Sequence, residues 1–300
     1  MMLLIVAFVV ALVAMLVVRF AYLFSDREAP SVFTYTFLGI GITGFILCGF
    51  SESNLIEENE ARLKQWTANQ CVAPQTIANS VLVARAGGGH GTAFMIDGNT
   101  VVTNRHVADS ISPEAVFETE DERAYNGMMF HRADEATSPD LAFYYVMGGG
   151  DIPALKLAKA GPEVGEQVLV VGHNGNRGFY YASVLNVLGT GGEDSDFSPV
   201  SPLTSAAEFV LYTTLNFFAP SSLVDEGART NDVIATHGDT AGGNSGSPVV
   251  NCAGEVVGVH FAGRGIYFFA SEQLGFSVTL DDFKAEIEKL PPADSPPSVS

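Results

Sequence analysis

From Ile77 onward the chain is cut into short apolar runs separated by Gly, Asn and Asp, and this pattern constrains the fold more than any other feature. The runs are Ser80–Ala84, Ala93–Ile96, Val101–Thr103, Leu141–Val146, Gln167–Val171, Val184–Leu188, Phe209–Leu211, Ser247–Val250, Val256–Phe261 and Phe276–Val278. They are rich in Val, Phe and Tyr, residues that suit a pleated, half-buried surface. Many short strands with turn residues between them predict an all-β barrel or sandwich. Leu280–Leu290, "LDDFKAEIEKL", breaks the pattern: its apolar positions fall at helical spacing and predict one C-terminal amphipathic helix. Residues 291–300 are Pro/Ser-rich and read as a disordered tail. Residues 51–76 read as a linker, with Leu55, Ile56 and Leu63 set among charges as in a short amphipathic helix.

The first fifty residues have a different texture. Met1–Val18 is apolar throughout and continues past Arg19, and Val32–Phe50 is a second uncharged run. About 20 apolar residues cross a bilayer as a helix. Two spans, about 2–24 and 32–50, joined by Ser25–Ser31, therefore predict a transmembrane hairpin over residues 1–50. A cleaved leader fits less well, because no basic residue precedes the first run. Arg19 and Arg27 flank the short loop, whereas the segment after the second span is acidic. The positive-inside bias then puts the loop in the cytoplasm and the large domain on the extracytoplasmic, periplasmic-type side of a plasma membrane.

Net charge is −19, and the four charges of residues 1–50 cancel, so the excess belongs to residues 51–300. No Lys/Arg cluster is present, which argues against nucleic acid as a partner. Cys71 and Cys252 form one disulfide if the domain faces an oxidising compartment, and are otherwise two separate small buried residues. No Cys/His spacing suggests zinc, and neither a metal nor an organic cofactor is expected.

The densest local signal is "HGDTAGGNSGSPVV", His237–Val250, in which glycines surround Ser245. A serine hydroxyl is a weak nucleophile until a base takes its proton and a third group orients that base. It also needs N–H donors aimed at the oxyanion that develops. A glycine-rich loop lets the backbone supply them, and the candidates are the N–H groups of Gly243 and Ser245. His106, in "GTAFMIDGNTVVTNRHVAD", and Asp140, in "SPDLAFYYV", are the matching base and carboxylate, with Asp109 and Asp134 as other carboxylates for the second role. His90, His131 and His173 carry no motif and read as surface or loop residues.

"TNRHV", "DLA" and "GNSGSPV" together resemble the three signatures of chymotrypsin-fold (trypsin-like) serine proteases, in that family's order. The resemblance covers roughly residues 77–290 and is nearest the bacterial HtrA-type and glutamyl-endopeptidase (V8-like) branches. It implies two six-stranded antiparallel barrels with the site in the cleft between them. It implies a His106–Asp140–Ser245 triad, peptide-bond hydrolysis through an acyl-enzyme, and a protein or peptide substrate. "VGEQVLVVGHNGN" resembles the strand entering the second barrel, and "GEVVGVHFAG", ending at Gly263, the strand that lines the specificity pocket. Asp239 occupies the place where the trypsin branch selects Arg or Lys. Thr240 and His260 match the two side chains with which glutamyl endopeptidases hold a substrate carboxylate. The expectation is a preference for Glu or small residues at P1. The competing class is a catalytically silent, or single-partner, chymotrypsin-fold regulatory membrane protein.

Overall fold

The computed structural model describes residues 55–86, 89–111, 113–134, 138–174, 178–192, 232–240, 242–266 and 271–291. The expected membrane hairpin, the run Phe209–Leu211 and the tail beyond Pro291 lie outside the described residues. Among the described residues no helix is long and apolar enough to cross a membrane. The barrels lie in one compact unit.

The first barrel is built from β1 (Val81–Ala86), β2 (Gly89–Met95), β3 (Thr100–Thr103), β4 (Glu114–Glu118), β5 (Ala124–Arg132) and β6 (Ala142–Val146). It closes in the order β1-β2-β3-β6-β5-β4. The second uses β7 (Gln167–Asn174), β8 (Gly178–Gly192), β9 (Asp232–Thr240), β10 (Pro248–Val250), β11 (Val256–Ile266) and β12 (Ser271–Thr279), closing as β10-β11-β12-β9-β8-β7. The expected double barrel is thus present, with every described ladder antiparallel. Closure removes the unpaired edges an open sheet would expose.

Three strands, β4, β5 and β9, lie outside the apolar runs. β4 is "EAVFE", alternating exposed and buried positions between two glutamates, and β5 is largely half-exposed. Period-two burial on a barrel wall needs only every second residue to be apolar, so neither forms a run. Gly127 on β5 is where Phe117 packs: a Cβ there would meet its ring at 2.4 Å.

Each barrel has its own core. Leu82, Ala93, Phe117, Tyr144 and Val146 fill the first, and Val168, Val170, Leu185, Ile234 and Val257 the second. A third cluster joins them and takes in Phe94, Phe143, Leu169, Val259, Trp66 and Phe283. Phe283 belongs to the C-terminal helix Leu280–Ile287, which Thr279 caps by accepting from the Asp282 N–H. That helix follows the second barrel yet places the Phe283 ring against Phe94 and Phe143 of the first, at 6.1 and 6.4 Å between ring centroids. Full burial of one such ring stabilises by roughly 2–3 kcal/mol. Glu286 of the same helix accepts from His131 Nε2 at 2.6 Å and from Lys289 at 2.6 Å.

The expected linker helix forms over residues 55–68. Trp66 is buried and its indole N–H donates to the Val72 carbonyl at 2.7 Å. The Cys71–Cys252 disulfide is formed, with Cα atoms 4.5 Å apart, and Val72 N–H donates to the Cys252 carbonyl beside it. The chain ahead of the first barrel is thereby stapled to the β10–β11 turn of the second.

Candidate active site

His106 is the second residue of the helix Arg105–Ile111, which begins two residues after β3 ends. Its Nδ1 lies 2.5 Å from Asp140 Oδ2, and its main-chain N–H donates to Asp140 Oδ1 at 3.0 Å. Asp140 stands immediately before Leu141 and β6, which pairs with β3. The sheet register therefore brings the ends of two neighbouring strands, and these two residues, together. Asp140 is 5% exposed and His106 34%. Both carboxylate oxygens are met by N–H donors, the condition under which a buried charge is tolerable.

Two further residues hold this pair, and their roles were not visible in the sequence. Asn104, fully buried, donates through Nδ2 to the Asp140 main-chain carbonyl at 2.9 Å. Arg105, 3% exposed, reaches the carbonyls of Pro139, Asp134 and Ser138 at 3.3–3.5 Å. The Asn-Arg of "TNRHV" thus grips the loop that presents Asp140. Of the alternative carboxylates, Asp109 takes Arg132 in a two-toothed pair at 2.8 Å through each oxygen. Asp134 contributes its main-chain carbonyl to Arg105.

Ser245 is half-buried on the loop before β10. Gly243 at φ +99° and Gly246 at φ +86° need the left-handed region that other residues avoid. A Cβ on Gly246 would also sit 1.9 Å from the Thr92 carbonyl oxygen. Gly246 N–H donates to the His260 carbonyl at 2.8 Å, and Ser247 N–H to the Asn244 carbonyl at 2.9 Å. The Ser245 hydroxyl donates to the Phe261 carbonyl at 3.1 Å. The seam between the barrels is tied beside it: Thr103 Oγ1 donates to the Thr92 carbonyl at 2.6 Å, and Thr92 N–H donates to the Ser245 carbonyl at 2.8 Å. Two hydrogen bonds therefore link the strand end that carries His106 to the backbone of Ser245.

Of the expected pocket residues, Asp239, Thr240 and His260 are all buried, at 0%, 1% and 1% exposure, and Gly263 lies on β11. Asp239 accepts a 2.5 Å hydrogen bond from the Tyr181 hydroxyl, which itself accepts from Asn59 of the helix 55–68 at 3.1 Å. Burial pulls the Arg62 guanidinium of that helix down from its usual value, while Glu58, Asp239 and Tyr181 pull it back up. His260 has its Nδ1 buried without a hydrogen-bond partner, and its Cε1 lies 3.2 Å from where a Cβ on Gly275 would be. Burial, reinforced by the neighbouring His106, holds its pKa down to about 4. Its ring is neutral at physiological pH.

His131 and His173 do not sit on the surface as expected, whereas His90 does. His131 is paired with Glu286. His173 lies half-buried on β7 against His90, with ring centroids 4.8 Å apart, and burial followed by the charges of His90 and Arg85 lowers its pKa to about 4. Both are drawn inward because their strands face a second element, the C-terminal helix for one and the other barrel for the other. Among the described residues no group of three His, Cys, Asp or Glu could hold a metal ion.

A putative serine protease HhoA of Synechocystis sp. is 28% identical over 198 residues, a match covering 66% of this chain and 42% of that protein. The active form of the M. tuberculosis Rv3671c protease superposes with a TM-score of 0.54 at 21% identity, covering 75% of this chain and 85% of that one. The HtrA-type protease AlgW gives 0.51 at 19% identity over 70% of this chain and 58% of its own. These two likenesses concern the fold. The trypsin-like peptidase domain family matches residues 91–259, more than half of the chain, and the chain belongs to that family.

Proposed function

We propose that the protein is a serine endopeptidase in which His106, Asp140 and Ser245 act together on a peptide bond. The observation that carries this reading is the short Asp140–His106 contact with the carboxylate buried, together with a Ser245 that stands on a loop of left-handed glycines and is tied through Thr92 and Thr103 to the strand end that leads into His106. Asp140 accepts from Nδ1–H and so leaves Nε2 as the basic nitrogen. The Ser245 hydroxyl turns from the Phe261 carbonyl to His106, loses its proton and attacks the scissile carbonyl. The N–H groups of Gly243 and Ser245 receive the oxyanion. His106 then protonates the leaving amine, and water, activated by the same histidine, releases the acyl group.

The pocket supports a P1 residue other than Arg or Lys. Asp239, the group a basic side chain would need, is already engaged by the Tyr181 hydroxyl. A Glu side chain would instead bring a carboxylate to the neutral ring of His260, whose Nδ1 has no hydrogen-bond partner and which would gain a proton and a partner together. Residues 1–50 anchor this domain in a bilayer as two spans, with the barrels on the extracytoplasmic side, where the Cys71–Cys252 disulfide persists.

A second reading is a catalytically silent domain, favoured by the one observation that Ser245 donates to the Phe261 carbonyl. A fluorophosphonate probe applied to membranes decides between them. The hydrolase reading expects labelling that Ser245→Ala abolishes, protected from protease added on the cytoplasmic side. Absence of labelling in the wild type supports the silent domain. A P1-varied peptide library on the active protein expects cleavage after Glu, and cleavage confined to Arg and Lys would overturn the pocket assignment.

A further inference from the structure

Thr92 lies on the first barrel, in a strand that contributes nothing to the expected triad, yet four hydrogen bonds converge on it beside the seam. It is 0% exposed. Its N–H donates to the Ser245 carbonyl at 2.8 Å. Its carbonyl accepts from Thr103 Oγ1 at 2.6 Å. Its hydroxyl donates to the Gly243 carbonyl at 2.7 Å and accepts the His173 main-chain N–H at 2.8 Å. Every polar atom of the residue is committed, and three of its four bonds cross between the barrels. The site is too tight for a substitute donor: a Cβ on Gly172 would stand 2.9 Å from Thr92 Oγ1 and 1.8 Å from Ser247 Oγ.

What this grip controls follows from the covalent geometry of the loop. The Ser245 N–H belongs to the Asn244–Ser245 peptide plane. Thr92 fixes the carbonyl on the N-terminal side of that plane, at Gly243, and the carbonyl on its C-terminal side, at Ser245. Gly243 has no Cβ and stands at φ +99°, so its own chemistry restrains it little. Without an outside partner the Gly243 carbonyl is free to swing toward the place where the oxyanion forms, where an oxygen would repel it.

We propose that Thr92 is a positioning residue for the oxyanion site. Its hydroxyl holds the Gly243 carbonyl away from the developing charge and so keeps the Gly243 and Ser245 N–H groups aimed at it. Thr92 touches neither substrate nor the reacting atoms, and it acts through the loop. This inference rests on the hydrolase reading above. Losing one oxyanion donor outright typically costs about 10²–10³ in kcat. Loosening both without removing either is expected to cost about ten- to a hundredfold.

The test compares Thr92→Val, which keeps the shape and loses the hydroxyl, with Thr92→Ser, which keeps the hydroxyl and loses the methyl. Three quantities are measured well below the melting temperature: kcat, KM, and affinity for a peptidyl boronic acid, whose tetrahedral adduct fills the oxyanion site. Thr92→Val is expected to lose kcat and boronate affinity in parallel, by about ten- to a hundredfold, with KM little changed. Thr92→Ser is expected to stay close to wild type. Should Thr92→Val fail to fold, Thr92→Ala against Thr92→Ser reads the same hydroxyl. A purely structural role would lower the melting temperature of Thr92→Val and leave the ratio of boronate affinity to KM untouched, which overturns the proposal. So does a Thr92→Ser as impaired as Thr92→Val. A wild type that fails to react with a fluorophosphonate sinks the hydrolase reading and this inference with it. A reactive wild type matched by an equally reactive Thr92→Val sinks this inference alone.

Discussion

Replacing Asp140 by Asn changes one atom in the site and reverses the logic of the imidazole. Asp140 accepts twice from His106, through Oδ2 from the ring and through Oδ1 from the main-chain N–H. The main-chain N–H has no alternative role, so the Asn carbonyl oxygen takes the Oδ1 place and the amide nitrogen faces Nδ1. An amide N–H can only donate there. Nδ1 must then carry the lone pair, the ring proton moves to Nε2, and Nε2, the nitrogen proposed to take the Ser245 proton, is no longer a base. In a protease of this fold the same change lowers kcat about 10⁴-fold, and four decades correspond to about 5.5 kcal/mol of transition-state stabilisation. The loop itself stays held, because Asn104 and Arg105 grip main-chain carbonyls and not the Asp140 carboxylate. Asp140→Asn is therefore expected to lose about 10³–10⁴ in the second-order rate of acylation by a chromogenic peptide, with a melting temperature within a few degrees of wild type. A loss under tenfold would refute the assignment of Asp140 as the group that sets the tautomer. A comparable loss accompanied by unfolding would refute the claim that the loop is held independently.

Two predictions concern stability. The Cys71–Cys252 disulfide closes a loop of 181 residues in sequence separation, for which the chain-entropy relation gives about 5 kcal/mol at 25 °C as an upper value. Cys71→Ser is expected to destabilise by about 2–5 kcal/mol in denaturant titration, and reductant is expected to bring the wild type to the same midpoint; a midpoint unmoved by either treatment would contradict the role of the staple. His173 and His260, both held down to about 4 from 6.5 mainly by burial, bind a proton in the unfolded chain before they do so in the folded one. Stability is then expected to rise with pH between about 4 and 6.5 and to lose part of that slope in His173→Gln; equal slopes for the two proteins would rule out the titration of His173 as a contributor.

The elements most legible in the sequence are those whose information is local. The Val/Phe/Tyr runs mark ten positions along the chain, and those that fall in described residues overlap barrel strands, with only Ser80, Ile96, Leu141 and Ser247 at their ends lying just outside. The apolar spacing of Leu280–Leu290 marks a helix that forms over Leu280–Ile287. His106 and Asp140 are legible because each sits beside a strand end with a recognisable neighbourhood. What was hidden depends on contacts across the seam. Asn104 and Arg105 lie inside a motif, but nothing local shows that their targets are carbonyls some thirty residues later. Thr92 is an ordinary strand threonine until β7 and the nucleophile loop are laid against it. Asp239 reads as a pocket acid from its place six residues before Ser245, and only the pairing of β8 with β9 reveals its tie to Tyr181, which Asn59 of the helix 55–68 then extends. His173 looks like a loop residue because its neighbours are Gly and Asn, whereas strand β7 carries it to the interior side of the seam.

In the proposed hydrolase one serine hydroxyl, on the loop His237–Val250, is activated by the His106 imidazole of the other barrel. Mass mapping of the protein after reaction with a fluorophosphonate tests this most directly. The account predicts a single adduct on the peptide containing Ser245, absent in Ser245→Ala and strongly slowed in His106→Ala. An adduct on any other residue, or undiminished modification in the His106 variant, would contradict it.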